Sequence, residues 1–193
     1  MTNLPGTNNQ SVPPLARSVI TGAIGFGVVS LLVFATVAFA ERWMYRNLGL
    51  TGAYLAWTAL FILLGGGVLG SLVVGRWRLP KFYLLYGLAF LVYAIGWVAA
   101  YFMLRGTTGE WVGSLAGSIL MALVFAAGFK TTRSVLKFAL LLFVANSIGY
   151  FLGSALNDSV RGRGGMLLWG VAYGLFLGAG IGAVLYYAQK NGR

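Results

Sequence analysis

Apolar residues in this chain fall neither at every second position, as in a half-buried strand, nor at every third and fourth, as in a surface helix. They run in six long blocks, Val19–Ala40, Ala53–Gly75, Phe82–Leu104, Trp111–Phe129, Val135–Leu156 and Met166–Tyr187, separated by short clusters rich in Arg, Lys and Gly. Each block approaches the roughly 20 residues that carry a helix across a hydrocarbon layer about 30 Å thick. Lipid offers no partner to a free backbone N–H or C=O, so such a block has to be helical. The pattern predicts an all-α bundle of six transmembrane helices over residues 17–193. Residues 1–16 are polar, contain Pro13 and Pro14, show no period and read as a disordered cytoplasmic tail. Arg17 before the first block and Ala38-Phe39-Ala40 at its end resemble a cleaved secretory signal. The block exceeds the about 7–15 residues of a signal core, and further spans follow, so it counts as a retained span.

Composition agrees. Of 193 residues 59% are hydrophobic and 9% charged, against about 25% charged in a soluble domain. So few charges cannot cover a surface that faces water, and the lipid bilayer becomes the first partner. The net charge of +11 is spread in twos and threes between the blocks, which is a topology signal and excludes a nucleic-acid surface. Arg17, Arg76, Arg78, Lys81, Lys130, Arg133, Lys137, Lys190 and Arg193 fall on one side of the layer. Arg42, Arg46, Arg105, Arg161 and Arg163 fall on the other, with all three acids, Glu41, Glu110 and Asp158. Nine cations against five place the N- and C-termini in the cytoplasm of a cell that carries the protein in its cytoplasmic, or inner, membrane. Trp43, Tyr45 and Tyr54, Trp77, Phe82 and Tyr83, Tyr101 and Trp111, and Tyr186 and Tyr187 sit near block ends, where rings with one wet edge anchor in the headgroups.

A shift of 83 residues lays the second and third blocks on the fifth and sixth. Leu84-Leu85-Tyr86-Gly87 then meets Leu167-Leu168-Trp169-Gly170, and Gly66 and Gly70 meet Gly149 and Gly153. Three spans per half would make this an inverted-topology repeat; the alternative is chance recurrence of Leu, Gly, Ala and Phe. Glycines also form ridges. Gly170, Gly174, Gly178 and Gly182 share one helix face, and Gly66-Gly70 and Gly149-Gly153 repeat the spacing. In lipid small residues let two backbones approach, so these are packing faces, within one bundle or toward a second copy or another membrane protein.

The chemistry is sparse. With no Cys and no His there is no thiolate or imidazole metal site and no His-based hydrolase. No phosphate loop ending in Lys-Ser/Thr follows Gly65-Gly66-Gly67, and no acid lies at mid-span. Neither enzyme nor cofactor is expected. The polar groups at depth are neutral, and Asn146, Ser147, Ser118 and Thr58 are the candidate solute contacts. For Asn146 the alternative is an interhelical hydrogen bond. Size, six spans and a cytoplasmic N-terminus resemble the substrate-binding components of energy-coupling-factor vitamin transporters, a likeness of architecture that carries no residue over. The expected function is permeation of a small neutral or weakly polar solute by a channel, facilitator or transporter; the alternative is a non-catalytic scaffold or accessory subunit of a larger membrane complex.

Overall fold

A computed structural model describes residues 11–75 and 78–192. The first ten residues of the expected tail lie outside these, as do Arg76, Trp77 and Arg193. The described residues are all helix, turn and loop, in five long helices: α1 Leu15–Gly70, α2 Arg78–Leu104, α3 Gly106–Gly128, α4 Val135–Val160 and α5 Gly162–Asn191. Each is long and apolar enough to cross a membrane. Helix α1 opens at Leu15, two residues inside the expected tail, because the fixed φ of Pro13 and Pro14 leads directly into a first turn.

The expected loops at one end of the bundle have almost vanished. Glu41 to Leu48, expected between two spans, are helical, since Glu, Arg, Met and Leu are good helix formers once the chain leaves hydrocarbon. Three residues begin the reversals there: Gly49 (φ 68°, ψ 179°), Arg105 (φ 53°, ψ 168°) and Arg161 (φ 56°, ψ 167°), the two arginines each followed by a glycine of positive φ, Gly106 (54°) and Gly162 (61°). Their dihedrals nearly coincide, and they stand at an even spacing of 56 residues.

Gly49 folds α1 back on itself. Trp57 Nε1 donates to Thr36 Oγ1 at 3.1 Å, and the rings of Phe26 and Phe61 stack at 5.6 Å. In a straight helix Thr36 and Trp57 would lie about 32 Å apart. Residues 15–48 and 50–70 are thus two antiparallel limbs of a helical hairpin, as α2 with α3 and α4 with α5 are. The second and third hairpins are held by matching rungs. Gly117 lies against the ring and carbonyl of Tyr93 and Gly149 against the Tyr173 backbone; Gly113 faces Trp97 and Gly153 faces Trp169; Gly109 meets Tyr101 and Gly165 meets Asn157. Each of these three rungs of one hairpin becomes a rung of the other on adding 56 to both residue numbers. In the first two pairs the glycine and the ring exchange helices.

The hairpins close into a ring. Gly182, Gly178, Gly174 and Gly170 of α5 descend the first limb of α1 past Ser18, Gly22, Gly27 and Phe34. A methyl at Gly22 would collide with the Gly178 carbonyl oxygen, so backbone lies on backbone along this seam. The second limb meets α2 through side chains, with Gly65 under Tyr86 and Gly66 under Tyr83. At the opposite end from the three turns, buried Gln189 ties the seam: its amide accepts from Val74 N at 2.9 Å and donates to Leu72 O at 3.0 Å. Large apolar side chains point outward at four-residue spacing, as at Ile20, Ile24, Val28 and Leu32, each more than half exposed. Small residues inside and large ones outside is the order for a bundle solvated by lipid. Lys137 lies over the Tyr187 ring at 3.0 Å.

Gly178→Leu forces a side chain into the Gly22 carbonyl and is expected to abolish the cooperative thermal transition of the purified protein in mild detergent, while Ile24→Ala on the outer face changes stability by less than about 0.5 kcal/mol. Arg105 and Arg161 hold a conformation that costs an L-residue on the order of 1 kcal/mol. Arg105→Gly is therefore expected to raise the unfolding temperature, and a fall would show that the arginine side chain outweighs the strain.

Candidate functional site

The inward faces of the helices carry rings four residues apart at mid-span: Trp57 and Phe61 on α1, Tyr93 and Trp97 on α2, Trp169 and Tyr173 on α5. One face of a helix therefore presents a column of two rings toward the bundle axis. Three such columns cannot close-pack at the end where the helices reach the three turns, and a cavity of about 380 Å³ remains among them. Its size falls within the range of about 300–1,000 Å³ usual for small-molecule sites. Twelve of its nineteen lining residues are Phe, Tyr or Trp, against 15% in the chain, and Glu41 is the one charged residue among them.

The rings fix one another. Tyr45 and Tyr54, beside the Gly49 turn, stand edge-on to Trp57 at 5.8 and 5.7 Å. Thr36, which accepts from Trp57, donates its own hydroxyl to Val33 O at 2.6 Å. Trp97 packs on Tyr101 and Tyr150, both at 5.3 Å, and Tyr150 packs on Trp169 at 5.4 Å. Tyr150 also donates to Glu110 Oε1 at 3.1 Å. The floor is formed by Phe61, Phe90, Tyr93 and Tyr173. Beyond it Phe26, Phe90, Tyr86 and Phe82 continue as a packed column of rings toward the other end.

Behind the floor lies a buried polar chain. Tyr93 O–H donates to Asn146 Oδ1 at 2.6 Å, and Asn146 Nδ2 donates to Ser114 Oγ at 2.8 Å. Ser114 and Ser147 hydroxyls pair at 2.8 Å. The Tyr93 and Tyr173 hydroxyl oxygens are 2.8 Å apart. Tyr93 has one proton, already given to Asn146, so Tyr173 is the donor of that bond. The chain thus has a direction, and among the described bonds nothing donates to the Tyr173 oxygen at the cavity floor.

The expected contacts separate. Thr58 lines the cavity. Asn146 is fully buried one layer behind it and reaches it through Tyr93, with Ser147 in the same cluster. Ser118 is buried outside the lining, its hydroxyl without a partner. Gly149 and Gly153 seat Tyr173 and Trp169, so the packing ridge on α4 holds two walls of the cavity in place. Gly66 and Gly70 face Tyr83 and Leu79. The ridge Gly170–Gly182 is filled by the first limb of α1. Attention to block ends missed Tyr93, Trp97, Trp169 and Tyr173; their signal was ring pairs at helical spacing inside apolar blocks. Glu41, Tyr150 and Gln189 were missed as well. No protein-family model, curated protein or solved structure matches the chain.

Asn146→Leu removes both the acceptor of Tyr93 and the donor to Ser114. It is expected to cost on the order of 1–3 kcal/mol in thermal unfolding, whereas Ser118→Ala, which removes an unpartnered hydroxyl, should be neutral or stabilising. Equal behaviour of the two variants would deny the polar chain its structural part.

Proposed function

We propose that the chain is a non-catalytic, six-span protein of the cytoplasmic membrane with both termini inside, and that it binds and passes a small neutral or weakly polar solute through the ring-walled cavity. The observation that carries this reading is the cavity itself. All three hairpins line it, and it leads from the three-turn end of the bundle to the hydroxyl pair of Tyr93 and Tyr173. Folding back of α1 at Gly49 supports counting its limbs as two of six spans. The cation count supports a topology with the three turns, and with them the mouth, outside. The column of rings beyond the floor then closes the inner half, as expected of a carrier or gated pore open to the outside. Matching turns and rungs 56 residues apart favour three hairpins of the same sense over two inverted halves related by 83. The alternative of an accessory subunit drew on the four-glycine ridge and on the scarcity of functional polar residues; the first limb of α1 occupies that ridge.

The chain has no cysteine, so single replacements report without background. In intact cells Thr58→Cys is expected to react with a small membrane-impermeant thiosulfonate, and Asn146→Cys to resist it. In proteoliposomes Thr58→Trp, which fills the cavity, is expected to slow osmotic swelling with glycerol or urea at least tenfold. An unreactive Thr58→Cys, or a swelling rate no faster than that of protein-free vesicles, would overturn the reading.

A further inference from the structure

We infer that the cavity also accepts an organic ammonium ion, a protonated or alkylated amine carrying an apolar body, and prefers it to a neutral solute of the same shape. The inference rests on the cavity being a solute site and concerns only the charge that site favours. Three independent features face the same space. The first is the wall: Tyr45, Trp57, Trp97, Tyr101 and Trp169 line one cavity, and a ring face attracts a cation through its quadrupole, most strongly when water is excluded. The second is the mouth. Glu41 is the one charged residue in the lining, and no Lys or Arg is among the lining residues, although Arg42, Arg46 and Arg105 belong to the same end of the bundle. A cation entering past Glu41 meets an attractive charge and no repulsive one within the walls. The third is the floor. The hydrogen-bond direction through Tyr173, Tyr93 and Asn146 leaves the Tyr173 oxygen as an acceptor, which suits an N–H or O–H donor and disfavours an anion.

Anions are excluded by the same features. A carboxylate or phosphate would need donors or cations on the wall, and the polar lining offers Thr58 and phenol hydroxyls in their place. Neutral solutes would fill the cavity without using Glu41.

The test compares benzylammonium with benzyl alcohol, two probes of nearly equal shape, one charged and one neutral at pH 7. Each is titrated calorimetrically into the full-length protein in lipid nanodiscs, with empty nanodiscs as the blank. Benzylammonium is expected to bind saturably and at least about tenfold more tightly than the alcohol. Glu41→Gln, at the exposed mouth, is expected to weaken the ammonium severalfold and leave the alcohol unchanged. Trp97→Leu should also weaken the ammonium more than the alcohol. Equal binding of the two probes, or an ammonium affinity indifferent to Glu41→Gln, overturns the cation and leaves a neutral-solute cavity standing. Binding of neither probe also overturns it. Reactivity of Thr58→Cys in the same preparation then tells whether the cavity survives.

Discussion

Two helices in a bilayer gain nothing by hiding apolar surface from lipid that is equally apolar, so what holds them is fit. In this bundle fit is achieved by setting a glycine on one helix under a ring or a carbonyl of the next. Gly113 under Trp97, Gly153 under Trp169 and Gly22 under the Gly178 carbonyl are variants of one contact. Each brings axes closer than any larger residue permits, and each fixes the register of its hairpin. The cost, a helix weakened at every glycine, is small in lipid because the backbone has no water to turn to.

The cavity follows from the same contact. A ring seated on a glycine is fixed on one face, and its other face is free to line a space. Gly153 does this for Trp169, Gly149 lies against the backbone of Tyr173, and Tyr45 and Tyr54 brace Trp57 edge-on. Toward the end away from the three turns the rings of Phe26, Phe90, Tyr86 and Phe82 pack one upon the next. The buried amide of Asn146 completes the arrangement by orienting Tyr93 and, through it, Tyr173.

The solvent and the helices could be read from the sequence because both depend on runs of about twenty residues, in which single substitutions hardly matter. Helix ends could not, since residues such as Glu41 and Arg46 leave the hydrocarbon without leaving the helix. The 56-residue relation was hidden for a sharper reason. Its rungs conserve a fit rather than a residue, so Trp97 corresponds to Gly153 and Gly113 to Trp169, and identity matching scores each such pair as a mismatch. The shift of 83 was visible because it matches letters, yet its pair Gly66 and Gly149 face Tyr83 and Tyr173, partners 17 and 24 residues away. Of the candidate contacts, Thr58 could be placed by depth alone, whereas Asn146 required knowing which neighbour reached it first.

The seams of the ring also differ in kind, and this bears on how the bundle can move. Where α5 lies on the first limb of α1, carbonyls interlock with glycines, and sliding would drive one main chain over the other. Gln189 adds a clasp between the end of α5 and the chain leaving the second limb. Where the second limb of α1 meets α2, its glycines touch the side chains of Tyr83, Tyr86 and Leu79, and no main chain of α2 enters these contacts. The folded limbs of α1 with α5 therefore act as a frame, and the hairpin of α2 and α3, which carries Tyr93 and Trp97, is the leaf hung upon it.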